Sequence, residues 1–122
     1  MRPMTPLELE IMEVVWQFRR ATVRQVFEIL RERRKLAYTT VMTVMGTLEQ
    51  KGHLKRTKEG RAYLYVPTRS RGAALSAQVQ DFLDRVFGGS AKPLLLSLVE
   101  SKKLTKEELD EIARIAAEEE KP

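Results

Sequence analysis

The chain has no cysteine and a single histidine, His53, among its 122 residues. The absence of cysteine excludes disulfide bonds and thiolate-ligated metal, and one histidine leaves too few ligands for an ordinary zinc or copper site. We therefore expect no metal and no other cofactor. There is also no phosphate-binding glycine loop and no nucleophile–base pair, so we expect no enzymatic activity. His53 follows Gly52 and is interpreted as a turn or backbone-contact residue rather than a general base.

Long apolar runs are absent as well. No stretch approaches the 18 or so apolar residues that a membrane span requires, and the N-terminal "MRPMTPLELEIM" brings acidic residues early and lacks the apolar region of a secretion signal. We expect a cytoplasmic protein without membrane insertion. A chain of this length can bury one modest core, or one small domain plus an appendage that a partner covers.

Charge is distributed unevenly along the chain. Residues 1–69 carry a net charge of +7 and residues 70–122 a net charge of −2, within a total of +5. This asymmetry indicates that the first part contacts a polyanion and the second part contacts protein, the alternative being ordinary scatter of solubilising charge.

Two capping boxes mark the first helices. Thr5 and Glu8 flank Pro6 in "TPLE", and Thr22 with Gln25 opens a second helix. That helix ends in "RERRK" at 31–35, a charge run that fits either a solvated helix end or a phosphate contact.

A third helix is predicted from near Thr39 to a stop at Gly52, although "YTTVMTVMGTL" at 38–48 is rich in poor helix formers. At 100° per residue, Val41, Met45 and Leu48 share one side. The opposite side carries Thr40, Thr43, Thr47 and Gln50, with Thr39 and Gly46 at its edge. Short uncharged side chains let a helix lie close against another surface, and threonine methyls can touch thymine methyls.

A two-stranded hairpin follows at 54–67, with Gly60 in the turn of "KEGR". Leu54, Ala62, Leu64 and Val66 alternate there with more polar or aromatic neighbours. Because an isolated hairpin is only marginally stable, it must pack against the preceding helices.

Three helices and a basic hairpin form the winged helix-turn-helix layout, in which the third helix enters the DNA major groove and the wing touches the backbone or minor groove. The predicted base-contacting residues are Thr39, Thr40, Thr43, Gly46, Thr47 and Gln50. The predicted phosphate contacts are Arg24, Arg31, Lys51, Lys55, Lys58 and Arg61, together with the backbone N–H of Thr40. The alternative is a winged helix that serves as a protein-interaction module without specific DNA binding.

The tail is predicted to contain a helix from about Ser70, a break at 88–90, a short apolar helix from Pro93 and a last helix that Thr105 and Glu108 cap. Its apolar side chains exceed what so short a segment can hide, so we expect a homodimer in which a second copy covers them. The predicted dimerisation residues are Leu75, Val79, Phe82, Leu83, Val86, Phe87, Leu95, Leu98, Val99, Leu109, Ile112 and Ile115. The alternative is a tail that folds back on its own winged domain.

The fold prediction is therefore mainly α with a small β-hairpin. An N-terminal winged helix-turn-helix DNA-binding domain covers 1–69, and a C-terminal helical dimerisation domain covers 70–122.

The stretch "AYTTVMTVMGTLEQKGHLKRTKEGRAYLYVP" at 37–67 resembles the signature of the penicillinase repressor family, which includes the BlaI, MecI and copper-responsive CopY repressors. Further similar segments are "TPLELEIMEVVW" at 5–16, "TVRQVFEIL" at 22–30, "FGGS" at 87–90 and "LVESKKLTKEEL" at 98–109. The resemblance implies a homodimeric repressor of transcription on a palindromic operator, with a signal-dependent protease as a further partner.

The chain departs from the family pattern at several positions. Thr47 stands where members usually carry arginine, and Gly46 where a polar residue is more frequent, so the operator or the affinity is expected to differ. The Asn-Phe bond that is cleaved in antibiotic-responsive members aligns with Ser97-Leu98, and the cysteine-rich metal site of the copper-responsive members is absent. The resemblance therefore assigns no inducing signal.

Overall fold

The computed structural model describes residues 2–121, and the elements formed there are mostly helices. In chain order they are α1 Pro6–Phe18, α2 Val23–Leu30, α3 Tyr38–Gln50, β1 Leu54–Glu59, β2 Ala62–Pro67, α4 Arg71–Phe87, α5 Ala91–Glu100 and α6 Lys106–Glu119. This order confirms the predicted mainly α fold with a small hairpin.

Three of the helices begin with the reciprocal caps that the sequence predicts. The Glu8 N–H donates to the Thr5 hydroxyl at 3.2 Å, and the Thr5 N–H donates to the Glu8 carboxylate at 2.8 Å. Equivalent pairs join Thr22 to Gln25 and Thr105 to Glu108. Each cap satisfies N–H groups that the first turn of a helix otherwise leaves unpaired.

The C-terminus of α3 is closed by glycine. Gly52 has a φ of +88°, its N–H donates to the Glu49 carbonyl at 3.0 Å, and the His53 N–H donates to the Leu48 carbonyl at 2.9 Å. This is a Schellman motif, which needs a left-handed residue that glycine adopts without steric cost. The predicted stop at Gly52 is confirmed.

The core of the winged helix lies between α1, α2 and α3. Val41, Met45 and Leu48 are fully buried, as the third-helix pattern predicts, and α1 and α2 supply the facing residues. Those facing residues are Ile11, Met12, Val14, Val15, Val26 and Leu30. Each such side chain contributes roughly 1.5–3 kcal/mol by leaving water, so this core fixes the rotation of α3 about its own axis.

The hairpin is antiparallel, with Leu54 opposite Pro67 and Glu59 opposite Ala62. The buried side chain of β2 is Tyr65, one of the aromatic neighbours in the alternating pattern, whereas Leu64 and Val66 are half-buried. Tyr65 also exchanges two backbone hydrogen bonds with Ala21, at 2.9 and 3.0 Å. This bridge attaches β2 to the segment between α1 and α2 and turns the Tyr65 ring towards the core.

The chain divides into two compact units, one reaching to Gln78 and the other starting at Val79. The sequence places the domain boundary at 69/70, before α4. In the structure the first turns of α4 belong to the first unit, because Ala74 is part of its core. In addition, the Gln78 amide exchanges hydrogen bonds with the Met4 backbone at 3.0 and 2.7 Å.

The second unit contains the rest of α4 with α5 and α6. Gly88 and Gly89 separate α4 from α5 with φ values of +61° and +85°, and no residue of α5 or α6 is fully buried. Within residues 2–121, no helix combines the length and the apolar character needed to cross a membrane.

Candidate nucleic-acid interface

The face of α3 opposite the core consists of small, uncharged side chains. Thr39, Thr43 and Gln50 are exposed, while Gly46 and Thr47 are half-buried. The sequence pattern placed Thr39 at the edge of this face and Thr40 well within it. The structure reverses the two, because Thr40 is half-buried at the flank that adjoins the partly buried Val44.

Gly46 is not required by packing inside the chain. A Cβ built at Gly46 would meet no atom within 4 Å, and its φ is not in the left-handed region. A glycine in a helix interior costs about 1 kcal/mol relative to alanine. The absence of a side chain here therefore favours close approach of something outside the chain.

The hydroxyl of Thr47 donates to the Thr43 carbonyl at 3.1 Å. This bond uses its proton, so the Thr47 oxygen can act towards a ligand only as an acceptor. The exposed Thr43 hydroxyl has no partner among residues 2–121, and it lines a shallow depression with Thr39 and Thr40.

One predicted donor is already used. The Thr40 N–H donates to the Ala37 carbonyl at 3.1 Å, so it does not offer the phosphate contact that the sequence suggested. The first turn of α3 is tight, and its N-cap residue, Ala37, has no side-chain acceptor for this turn. The N–H groups of Tyr38 and Thr39 are the donors of this turn that lack a partner within 2–121.

Sequence reasoning missed Met42. Its side chain is 47% exposed, whereas Val41 and Met45 of the same helix are fully buried. Met42 precedes Gly46 by one turn, so the two adjoin on the helix surface. The four-residue spacing between Met42 and Gly46 was the signal that the sequence offered. It was overlooked because methionine fits a core pattern equally well.

A groove beside Met42 separates α3 from α2 and the hairpin. Arginines line it from two elements, Arg24 from α2 and Arg56 and Arg61 from the hairpin. The Arg24 guanidinium lies 4.9 Å from the Tyr38 ring centroid, and that of Arg56 lies 4.3 Å from the Tyr63 centroid. Stacking on aromatic rings orients these guanidinium groups, and Arg56 also pairs with Glu49 of α3 at 3.7 Å.

The hairpin places further cations around its turn. Lys55, Lys58 and Arg61 are exposed, and none of their side chains forms an ion pair within the described part of the chain. Gly60 supplies the turn with a φ of +62°. Arg24 and Arg31 share one half-exposed carboxylate, Glu28, at 3.5 and 3.4 Å. Such exposed pairs contribute little, so these arginines can exchange Glu28 for a phosphate.

Lys51 was predicted to contact a phosphate, but its side chain is engaged inside the chain and is not part of this surface. Its Nζ lies 2.7 Å from Glu8 Oε1 and 3.1 Å from the Pro3 carbonyl, and its side chain is only 13% exposed. Burial by itself would raise the pKa of Glu8, but hydrogen bonds from the Lys51 ammonium and from Thr5 outweigh it and lower that pKa. Lys51 thus attaches the end of α3 to α1.

His53 has a similar structural role. It is buried, and its Nε2 lies 2.7 Å from the Arg2 carbonyl oxygen. The interpretation as a backbone-contact residue is confirmed.

The charge run at 31–35 divides among several contacts. Arg31 pairs with Glu28, as above, and Arg34 pairs with Glu10 of α1 at 2.8 Å. The run therefore follows α2 and, through Arg34, joins the end of that helix to α1. Only part of its charge is left without an ion pair among residues 2–121.

None of the predicted dimerisation residues is fully buried. Those classed as exposed are Val79, Phe82, Val86, Leu95, Val99, Ile112 and Ile115, at 37–56% of their full area. Leu75, Leu83, Phe87, Leu98 and Leu109 are half-buried, and Leu96, which the sequence pattern left out, is 50% exposed. In the second unit, Phe82 and Phe87 stack edge to face at 5.8 Å.

Comparison with known proteins agrees with this geometry. The profile of the family described as Penicillinase repressor matches residues 4–118. The chain belongs to the penicillinase repressor family. Its members are transcriptional repressors and not enzymes, which confirms the expectation of no enzymatic activity.

Individual relatives match over nearly their whole length. The transcriptional regulator BlaI of Mycobacterium tuberculosis is 36% identical over 114 residues, covering 92% of this chain and 81% of that protein. The penicillinase repressor of Bacillus licheniformis is 29% identical over 111 residues, covering 91% and 87%. The methicillin resistance regulatory protein MecI of Staphylococcus aureus is 23% identical over 108 residues, covering 88% of each chain.

A solved structure confirms the winged helix. The solution structure of the DNA-binding domain of the repressor BlaI superposes with a TM-score of 0.52 at 29% identity. It covers 56% of this chain and 83% of that chain.

Proposed function

We propose that this protein is a sequence-specific DNA-binding repressor of transcription, which acts in the cytoplasm as a homodimer on a palindromic operator. In this proposal α3 enters the major groove and the hairpin contacts the backbone or minor groove. The observation that carries the proposal is the exposed face of α3, where short uncharged side chains stand opposite a fully buried apolar face.

Base contacts are assigned to the centre of that face. Thr39, Thr43 and Gln50 are exposed and can donate to or accept from base edges, and Met42 can pack against a thymine methyl. Gly46 lets the helix axis approach the bases closely. Thr47 and Thr40, both half-buried, are assigned to the sides of the contact.

Phosphate contacts are assigned to the cations that flank α3. Arg24 and Arg61 lie in the groove beside Met42, and Lys55 and Lys58 are exposed on β1. Arg31 is assigned to the periphery. Because these contacts release counterions, binding should weaken steeply with salt.

The homodimer is proposed because the second unit leaves apolar side chains uncovered. Val79 and Val86 lie two turns apart on one side of α4 and are 53% and 56% exposed, and Ile115 of α6 is 54% exposed. A two-fold dimer would cover such a surface and present two α3 helices to two half-sites.

A signal-dependent protease is the remaining expected partner. The bond that aligns with the family's cleavage position, Ser97–Leu98, lies inside α5. Cleavage there would require α5 to unwind locally. The proposed DNA binding does not depend on such cleavage.

Selection of bound fragments from genomic DNA tests the proposal, followed by titration of the recovered duplex and a random duplex at several salt concentrations. We expect Thr43→Ala to weaken the selected duplex by about fivefold or more while leaving the random duplex unchanged. Lys58→Gln should weaken both duplexes alike and lower the salt slope by about one. If no fragment is enriched, or if charge removal at Lys58 changes nothing, the protein-interaction alternative replaces the repressor.

A further inference from the structure

A second basic groove lies in the first unit, bounded by the last turns of α1, by Arg33 after α2, and by the segment 67–71 that leads into α4. Its volume is about 870 Å³, which falls within the roughly 300–1,000 Å³ of small-molecule sites. We propose that this groove binds a small multivalent anion, a molecule that carries phosphate groups or several carboxylates.

Arginine is the most frequent residue of the lining. Arg19, Arg33, Arg69 and Arg71 line the groove against one carboxylate, that of Glu13. Guanidinium groups are suited to phosphate and carboxylate oxygens, which accept paired N–H groups.

The single carboxylate does not neutralise this charge. Arg71 Nε lies 3.0 and 2.9 Å from the two oxygens of Glu13, so that carboxylate is already engaged by one guanidinium. The side chains of Arg19 and Arg33 have no ion pair within residues 2–121. A bound multivalent anion would supply negative charge to these two arginines.

Arg19 also occupies a position that favours glycine. It caps α1 with a φ of +69° and donates its N–H to the Trp16 carbonyl at 3.3 Å. A non-glycine residue in this region is disfavoured by roughly 1 kcal/mol or more. The presence of arginine instead of glycine at this position fits a role for its side chain in the groove.

Several polar groups of the groove wall are already engaged in hydrogen bonds, and the exposed Gln17 lines the groove together with the arginines. The Trp16 indole N–H donates to the Arg69 carbonyl at 3.1 Å, and the Thr68 hydroxyl donates to the Gly52 carbonyl at 2.7 Å. The Ser70 hydroxyl accepts from the Ala73 N–H at 3.2 Å at the start of α4. These bonds also hold the wall in place before a ligand arrives.

The groove is separate from the proposed DNA interface. None of its lining residues belongs to α3 or to the turn of the hairpin, and it shares no residue with the arginine groove beside Met42. A concave site with an indole on one side suits a compact ligand better than the extended backbone of a duplex.

The single tryptophan of the chain gives a direct readout, because Trp16 lines the groove. We would titrate the full chain with pyrophosphate, and separately with citrate, at constant ionic strength and without DNA, and record tryptophan fluorescence. We expect a saturable change with at least one probe, and Arg33→Gln should weaken it at least about tenfold. Arg20→Gln is the matched control, since it removes the same charge from an exposed residue outside the groove.

Each outcome of the titration either supports the proposed anion site or overturns it. Saturation by pyrophosphate alone, by citrate alone or by both supports the site and names the ligand as a phosphate, a carboxylate or either. Absence of saturation with both probes overturns the proposal, as does an equal loss in Arg33→Gln and Arg20→Gln. A separate titration with duplex DNA covers one further outcome: an Arg33-dependent fluorescence change there, with neither probe saturating in the absence of DNA, overturns the proposal by making the groove part of the DNA contact. Because the probe titrations omit DNA, failure of the repressor proposal would leave their result standing.

Discussion

At the scale of single residues, the ion pair between Glu8 and Lys51 joins the start of α1 to the end of α3. Both side chains are largely buried, at 4% and 13% exposure, and Glu8 also completes the cap of α1. Removing one partner of such a pair leaves a buried charge uncompensated, which costs more than the pair contributes when it is intact. The position of α3 therefore depends on a lysine that the charge pattern alone had assigned to DNA.

Lys51→Met should lower the free energy of unfolding by about 2–4 kcal/mol, because Glu8 loses its cation inside the fold. Lys55→Met, at an exposed position nearby in sequence, should change it by less than about 0.5 kcal/mol. Urea denaturation measures both. A Lys51 variant as stable as the wild type, but deficient in operator binding, would return Lys51 to the DNA contacts.

The same pair predicts a pH dependence. The pKa of Glu8 lies below its ordinary value of 4.5, so the stability it contributes is fully present above that value and is lost as pH falls through the lower folded pKa. Glu8→Gln retains a side chain that can complete the cap but removes the charge. The difference in melting temperature between wild type and Glu8→Gln should be largest near neutral pH and should shrink below about pH 4. A difference that stays constant from pH 7 to pH 3 would contradict the charge pairing.

At the scale of elements, α3 divides its residues between two tasks. Val41, Met45 and Leu48 hold the helix in the core, while Thr39, Thr43 and Gly46 are not needed there. The poor helix formers in this segment are therefore explained by what lies outside the chain, since the helix is held by its buried face and by the glycine stop.

Gly46→Ala separates these two tasks experimentally. The substitution should raise the free energy of unfolding by up to about 1 kcal/mol, because alanine favours helix and its Cβ meets no atom within 4 Å. It should weaken operator binding several-fold if the helix backbone lies close to the bases. Thermal melts and duplex titrations on the same preparation measure both. An alanine variant that gains stability and keeps full operator affinity would argue against close approach at this turn.

Much of this element level was predictable from sequence. The three capping boxes, the stop at Gly52 and the buried side of α3 follow from local patterns of two to four residues. The buried Tyr65 did not, because its position depends on backbone pairing with Ala21, more than forty residues earlier. The same holds for Lys51, whose partner Glu8 is more than forty residues earlier in the sequence. Sequence patterns reveal which residues face the same way, and they do not reveal which distant group already occupies a donor.

At the scale of the whole molecule, the chain has a closed core in its first unit and an open apolar surface in its second. Along the sequence, the core of the first unit ends at Ala74. No residue of α5 or α6 is fully buried. The extension of the first unit to Gln78 could not be predicted from periodicity, because it rests on hydrogen bonds between Gln78 and the Met4 backbone.

Val86→Glu should disrupt the proposed homodimer. A carboxylate in an apolar contact must either lose its hydration or keep the surfaces apart, so the dimer dissociation constant should rise by about a hundredfold or more. Ala77→Glu is the control on the same helix, since it adds the same charge to an exposed position away from Val79 and Val86. Sedimentation over a range of concentrations distinguishes monomer from dimer. Equal self-association of both variants and the wild type would refute the assignment of this surface.

The division of α3 into a buried side and an uncovered side has an evolutionary consequence. Exchange of Thr39, Met42 or Thr43 changes no core contact, so mutations there can alter the preferred target sequence with little effect on folding. Descendants of one ancestral regulator could in this way come to control different genes by few codon changes.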